Sequence, residues 1–266
     1  MNSFKTSDDL EIAYQEWGEG SPDAVPVVLH HGFVADANAN WVLPGVVAAL
    51  VDRGRRVIAP DARGHGASAK PHDPTRYGEP VMARDLAELI DVIGVGQIDL
   101  VGYSMGAIVA LLLASTDARV RRLVIGGVGA GVVECGGVDR RAVSNESIIQ
   151  ALSVEDAATL EQPEARSYRA LADALGADRK ALVAQASSVH RRGVALERVA
   201  APTLIIAGAD DPLAVRPEAL AAALPDATVT LTAGDHMGAL ADPAFTRSLV
   251  DFLCPAAVGA DAGDAG

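Results

Sequence analysis

Short apolar runs alternate with amphipathic stretches along most of the 266-residue chain. Runs of this length, rich in β-branched residues, predict strands, whereas apolar residues three and four positions apart predict helices. Two alternating segments, Ser3–Thr6 and Leu10–Trp17, flank a polar turn and predict a hairpin. Further strands are predicted at Val25–His30, Arg56–Ala59, Ile98–Val101, Leu123–Ile125, Thr203–Ala207 and Thr228–Leu231.

Helical patterns lie between these strands. The strongest covers Val81–Ile93 and stops at Gly94, a residue typical of helix ends. Other helices are predicted at Trp41–Val51, Met105–Ser115, Pro217–Ala223 and Pro243–Leu253. Because strands that alternate with helices form parallel sheets, the pattern predicts an α/β fold with a mostly parallel central sheet and helices on both faces.

The alternation of predicted strands and helices stops at residues 126–199, which contain no convincing strand. The Gly-rich stretch Gly126–Gly137 predicts a flexible entrance, and Ser153 with Asp156 has the pattern of a capping box. Helical patterns follow at Ser144–Leu152, Glu155–Leu160, Glu164–Leu175 and Asp178–Arg192. This interval therefore predicts a helical insertion into the sheet domain.

These patterns divide the chain into three parts. We expect residues 1–130 and 200–254 to form the α/β core and residues 131–199 to form a helical cap. Residues 255–266 consist mainly of Ala, Gly and Asp, so we expect a disordered tail.

Charge and composition exclude several classes of function. The net charge of −13 opposes binding to nucleic acid, which requires a basic surface. The two cysteines and six histidines show no metal-ligand spacing, so no metal or other cofactor is expected. The first ten residues do not resemble a signal peptide, and no apolar run is long enough to cross a bilayer, so a cytoplasmic location without membrane contact is expected.

One motif carries the candidate chemistry. Gly102-Tyr103-Ser104-Met105-Gly106 follows a predicted strand and opens a predicted helix. This is the context of a nucleophile elbow, a sharp strand-to-helix turn that exposes a serine hydroxyl. Glycines are needed on both sides because side chains there would collide with the adjacent strand or helix. The motif makes Ser104 the candidate nucleophile.

A serine hydroxyl needs a base, and that base needs an orienting acid. His236 lies in a loop just after the last predicted strand. Asp210 and Asp211 both follow the strand Thr203–Ala207, and either carboxylate could serve as the acid. The order Ser, Asp, His is the order that this elbow architecture uses.

With these motifs the chain resembles the α/β-hydrolase superfamily, and in particular its serine hydrolases of the carboxylesterase kind. The resemblance also includes His31-Gly32-Phe33 and the segment from Asp61 to Ser68. It implies that Asp211, three residues beyond Gly208, is the acid. It also implies that the backbone N–H groups of Phe33 and Met105 form the oxyanion hole.

The resemblance implies acyl transfer to Ser104 and hydrolysis of a small carboxylic ester or lactone, with a small molecule as the only expected partner. The oligomeric state and the substrate-binding residues stay open. One alternative is carbon–carbon bond hydrolysis of a dienone acid, which needs an arginine for the substrate carboxylate; the cap offers Arg166, Arg169, Arg191 and Arg192. Others are cofactor-free haloperoxidase or perhydrolase activity and, outside enzymes, a small-molecule receptor on the same fold.

Overall fold

The computed structural model describes residues 1–20, 24–190 and 192–255. The described residues contain one eight-stranded sheet in the order β1-β2-β4-β3-β5-β6-β7-β8. Its strands are β1 (Asn2–Lys5), β2 (Glu11–Trp17), β3 (Val27–His30), β4 (Val57–Pro60), β5 (Ile98–Tyr103), β6 (Val120–Gly126), β7 (Thr203–Gly208) and β8 (Ala227–Thr232). The predicted hairpin is confirmed, since β1 pairs with β2, and β2 with β4, in antiparallel orientation. The other pairings are parallel, as predicted.

Helices cover both faces of the sheet, which confirms the predicted fold class. The helices are α1 (Val46–Asp52), α2 (Glu79–Ile93), α3 (Met105–Ala114), α4 (Ala130–Cys135), α5 (Asn145–Ser153), α6 (Pro163–Ala174), α7 (Arg179–Ala186), α8 (Pro217–Ala223), α9 (Gly238–Ala241) and α10 (Pro243–Leu253). Strand side chains alternate between the two layers: Val28 packs with α2 and α3, whereas Val27 and Leu29 pack with α1 and α10. This alternation follows from the two-residue repeat of a strand.

The predicted helix Trp41–Val51 is wrong in part. A π-helical turn covers Asn38–Val42, and α1 begins only at Val46. Pro44 cannot contribute a backbone donor to a helix interior, and Gly45 has a φ of 85°. These two residues separate the apolar pattern into a π-helical turn and the helix α1.

The interval between β6 and β7 differs from the prediction in its details. The Gly-rich entrance contains the short helix α4, and Gly129 and Gly131 pack too closely against residues 214–215 and Asp139 to allow a side chain. These two glycines therefore allow close packing of the chain and do not make the segment flexible. The predicted helix Glu155–Leu160 is only a 3-10 turn at Ala157–Thr159.

Two further helix signals in this interval were misleading. Ser153 does not form the predicted capping box, because it ends α5 and its hydroxyl donates to the Ile149 carbonyl. The helix predicted to reach Arg192 ends at Ala186, where the hydroxyls of Ser187 and Ser188 donate to backbone carbonyls of the preceding turn.

The helices α5, α6 and α7 share a small apolar core, which includes Ile148, Leu152, Ala172 and Leu182, and this core also contacts Val34. The division into core and cap stays a prediction. The expectation of a disordered tail concerns residues that, from 256 onward, lie outside the described part of the chain.

Candidate active site

Ser104 stands at the apex of the turn between β5 and α3. Its backbone has a φ of 55° and a ψ of −116°, a conformation that costs free energy for any residue with a side chain. The Ser104 N–H donates to the Gly126 carbonyl at 2.8 Å, which ties the apex to the neighbouring strand β6. The chain thus holds a strained serine at the carboxyl end of the central strand.

The glycines around Ser104 are explained by contact. A Cβ atom on Gly102 would overlap the backbone of Gly106, and one on Gly106 would overlap the carbonyl oxygen of His30 at the end of β3. The elbow therefore packs against its own helix on one side and against β3 on the other, as the motif predicts.

The three residues of the predicted triad meet in one hydrogen-bonded line. His236 Nε2 lies 3.0 Å from Ser104 Oγ, and His236 Nδ1 lies 2.8 Å from Asp211 Oδ2. The Asp211 side chain is fully buried and that of His236 is largely so. Asp210 is exposed and forms no hydrogen bond with the imidazole, so the geometry selects Asp211 between the two acids. The catalytic roles themselves stay predictions.

Tyr103, the middle residue of the elbow motif, also holds the histidine. Its hydroxyl donates to the backbone carbonyl of His236, and the two rings lie 5.3 Å apart between centroids. Burial, assisted by the Asp211 carboxylate, raises the pKa of the Tyr103 hydroxyl well above its usual range. The hydroxyl thus remains a hydrogen-bond donor. The motif pattern gives no indication of this contact, because the position of Tyr103 in the elbow accepts any residue type.

The predicted oxyanion donors lie beside the hydroxyl. Phe33 and Met105 both line the cavity at Ser104. In the described part of the chain, neither backbone N–H donates to a protein acceptor, so both are available to a ligand. Asn40 Oδ1 accepts the Gly32 N–H at 2.7 Å, which fixes the loop that presents Phe33.

His31 supports the same loop. Its Nε2 accepts the Ala62 N–H at 2.9 Å, so Nδ1 carries the ring proton and donates to the Gly32 carbonyl at 2.8 Å. Complete burial lowers the pKa of the imidazole, which favours this neutral form. His31 therefore positions the loop and does not contact Ser104.

The cavity over Ser104 has two lobes. The larger has a volume of about 490 Å³ and includes His236, Asn40 and Tyr168 among its lining residues. The smaller has a volume of about 70 Å³ and is lined by Met105, Gln185 and neighbouring side chains. Both lobes contact Ser104, and both contact Phe33, Val143, Tyr168 and Leu213. The larger lobe is within the usual size range of small-molecule sites.

Three of the four arginines considered from the sequence do not line this cavity. Arg166 and Arg169 bind backbone carbonyls within residues 151–161, and Arg192 is exposed. Arg191 lies outside the described residues. Arg140, which the sequence analysis did not select, lines the smaller lobe. Among the described residues, no group of three or more acidic, histidine or cysteine side chains is arranged to hold a metal ion.

Comparison with known proteins identifies the architecture. Residues 25–129 match a family model described as alpha/beta hydrolase fold. A non-heme chloroperoxidase of Streptomyces lividans is 38% identical over 109 residues, which are 40% of this chain and 36% of the relative. A 2-hydroxy-6-oxo-2,4-heptadienoate hydrolase of Pseudomonas putida is 39% identical over 132 residues, or 49% and 46% of the two chains. The chain thus spans less than half the length of these curated relatives.

Solved structures match over nearly the whole chain. A hydrolase from Pseudomonas aeruginosa has a TM-score of 0.76 and 27% identity, covering 95% of this chain and 97% of that one. A thermophilic esterase from Thermogutta terrifontis has a TM-score of 0.68 and 26% identity, with 95% and 97% coverage. In the described residues, no helix combines the length and apolar character needed to cross a membrane.

Proposed function

Since the chain belongs to the α/β-hydrolase superfamily, we propose that it is a serine hydrolase that cleaves a small carboxylic ester or lactone through an acyl-enzyme on Ser104. The observation that carries this proposal is the line from Asp211 through His236 to Ser104, with contacts of 2.8 and 3.0 Å. The line ends in a cavity large enough for a small molecule.

Acylation follows from this geometry. Ser104 Oγ attacks the substrate carbonyl carbon while His236 Nε2 removes the hydroxyl proton. The Asp211 carboxylate keeps the proton of His236 on Nδ1 and stabilises the imidazolium that forms. The carbonyl oxygen becomes an oxyanion that accepts hydrogen bonds from the N–H groups of Phe33 and Met105, each worth about 3 kcal/mol in comparable sites.

The tetrahedral intermediate then collapses. The bond to the leaving oxygen breaks, and His236 transfers its proton to that oxygen, so an alcohol departs and the acyl group stays on Ser104. Water, deprotonated by His236, attacks the acyl carbon and releases the carboxylic acid. In a lactone the alcohol stays covalently attached to the acyl chain throughout, so the second step releases a single hydroxy acid.

Labelling tests the proposal directly. A fluorophosphonate should label the wild-type protein on Ser104, and p-nitrophenyl acetate should be hydrolysed. Ser104→Ala should lose both properties. Ser153→Ala, at an exposed serine that ends α5, should retain both. An unlabelled Ser104 in the folded protein would support the receptor alternative and contradict the proposal.

Arg140 favours carbon–carbon bond hydrolysis of a dienone acid as a second candidate. It lines the smaller lobe, and its recorded hydrogen bonds among the described residues go to the backbone carbonyls of Cys135 and His190 and not to an acid. The Pseudomonas putida relative carries the name of such a hydrolase, although the match covers less than half of it. Turnover of a dienone acid without turnover of any ester would select this candidate.

A further inference from the structure

The smaller lobe is too narrow for a long chain. Its volume of about 70 Å³ is roughly half that of the ~150 Å³ engineered cavities that bind benzene. It extends from Ser104 and Met105 toward Gln185 on α7, Asn145 on α5 and Glu79 on α2. A ligand group that enters this lobe can contain only a few non-hydrogen atoms.

Polar side chains at the lobe have weak protein partners. Gln185 is completely buried, yet its Oε1 accepts the Gly78 N–H at 3.3 Å and its Nε2 lies 3.7 Å from the Met105 sulfur. The Asn145 Nδ2 donates to the Ala186 carbonyl at 3.4 Å. Buried amides are normally well satisfied, so these long contacts indicate that a bound group supplies better ones.

The carboxyl and guanidinium groups at the lobe already have protein partners, including that of Asp139, which pairs with Arg141. Burial raises the pKa of Glu79, whose Oε2 accepts the His190 N–H at 2.6 Å, so the uncharged form of this carboxyl is favoured. The Arg140 guanidinium donates to the carbonyls of Cys135 and His190. An uncharged oxygen can accept a hydrogen bond from one side-chain amide, and a hydroxyl can also donate a hydrogen bond to the other.

The position of His236 decides which part of a substrate enters. His236 must protonate the leaving oxygen, so the leaving group lies on its side of Ser104. His236 lines the larger lobe, whereas the lining of the smaller lobe includes Met105 instead. The leaving group therefore occupies the larger lobe, and the acyl chain points into the smaller one.

We infer that the smaller lobe selects a short acyl chain with an uncharged oxygen substituent, which Gln185 and Asn145 hold. This inference rests on the ester hydrolase activity proposed above. The preferred substrates are thus esters of short hydroxy or alkoxy acids with a larger, apolar alcohol. The larger lobe, with Phe33, Tyr168 and Leu171 on its walls, receives that alcohol.

Matched esters test the inference on the wild-type protein. We would compare kcat/KM for 2-naphthyl 3-hydroxybutanoate and 2-naphthyl 3-methylbutanoate, which differ by a hydroxyl in place of a methyl group. The hydroxy ester should be favoured at least about tenfold, the effect of one buried hydrogen bond. Equal rates, or preference for the methyl ester or for mono-2-naphthyl succinate, would overturn the inference.

Variants then locate the effect. Gln185→Leu should reduce the preference to about twofold or less, whereas Gln150→Leu, at an exposed glutamine on α5, should keep the wild-type ratio. A preference unchanged in a folded Gln185→Leu variant would contradict the assignment; if that variant does not fold, the wild-type ratio still decides. Turnover of 2-naphthyl acetate without any hydroxyl preference defeats only this inference. No turnover of any ester, with Ser104 unlabelled, defeats the proposed function and the inference together.

Discussion

One oxygen of the Asp211 carboxylate lies 2.8 Å from His236 Nδ1, while the other accepts the Leu213 N–H at 2.8 Å. The Leu213 N–H in the same loop thus fixes the orientation of the carboxylate independently of the imidazole. Its side chain is inaccessible to solvent, so the interaction is only weakly screened.

We expect Asp211→Asn to lower kcat by about 10⁴-fold, because an amide that donates to Nδ1 favours the wrong tautomer of His236. Asp210→Asn is the matched control, since this neighbour is exposed and does not contact the imidazole. Steady-state kinetics on p-nitrophenyl acetate would measure both. A larger loss in the Asp210 variant would show that the acid has been assigned to the wrong residue.

Replacing Ser104 should separate catalysis from stability. Ser104→Ala and Ser104→Gly should both lose about a million-fold in kcat, as should His236→Ala within a few-fold. The glycine variant should be more stable than the alanine variant by about 1 kcal/mol, because glycine tolerates a φ of 55°. Urea unfolding would measure this difference. Equal stability of the two variants would mean that the elbow stores no strain.

Close packing at the elbow predicts a large effect of one methyl group. Gly106→Ala should destabilise the protein by roughly 3 kcal/mol, because its Cβ would overlap the His30 carbonyl oxygen. Gly96→Ala is the matched control, since a Cβ there meets no atom within 4 Å, and it should change stability by less than about 0.5 kcal/mol. Thermal and urea unfolding would compare them, and a stable Gly106 variant would contradict the packing.

Buried histidines predict loss of stability in acid. Burial lowers the pKa of His65 to about 3, against 6.5 for an ordinary histidine. Between pH 3 and pH 6.5 the unfolded chain binds a proton at His65 that the folded chain does not. The contribution of His65 to the free energy of unfolding is therefore fully present above pH 6.5 and is lost as the pH falls toward 3. One such group changes the unfolding free energy by about 1.4 kcal/mol per pH unit.

His65→Gln should therefore flatten the pH dependence of stability between about pH 4 and 6. Urea unfolding of the wild type and the variant across this range would measure the two slopes. The difference isolates His65, because other buried groups with altered pKa values, such as His30 and Glu79, are present in both proteins. Identical slopes would contradict a neutral, buried His65.

Local sequence patterns were enough to predict much of the sheet and to select the candidate triad residues. The boundaries of α8 and α10 were predicted to the residue, because proline marks the start of each and the apolar pattern has no break. The residues alone left Asp210 and Asp211 open as the acid; the resemblance to the α/β-hydrolase superfamily implied Asp211, three residues beyond the Gly208 that ends β7. In contrast, the apolar pattern around Trp41 continues across Pro44 and Gly45, which concealed the interruption.

The smaller lobe could not be predicted from the sequence. Glu79 and Gln185 are 106 positions apart, and each stands in a helix with no sequence motif around it. They meet only because α7 packs against the segment before α2, where the Gly78 N–H reaches Gln185. Such contacts depend on how separate helices dock, which neither periodicity nor spacing reveals.

Phe33 connects the proposed oxyanion hole with the helix α6. Its backbone N–H is the proposed oxyanion donor, and its ring lies 6.2 Å from that of Tyr168 on α6. A change in α6 that alters which alcohols fit would therefore also change the packing of the residue proposed to stabilise the negative charge. Evolution of a new specificity in this chain must therefore adjust turnover rate at the same time.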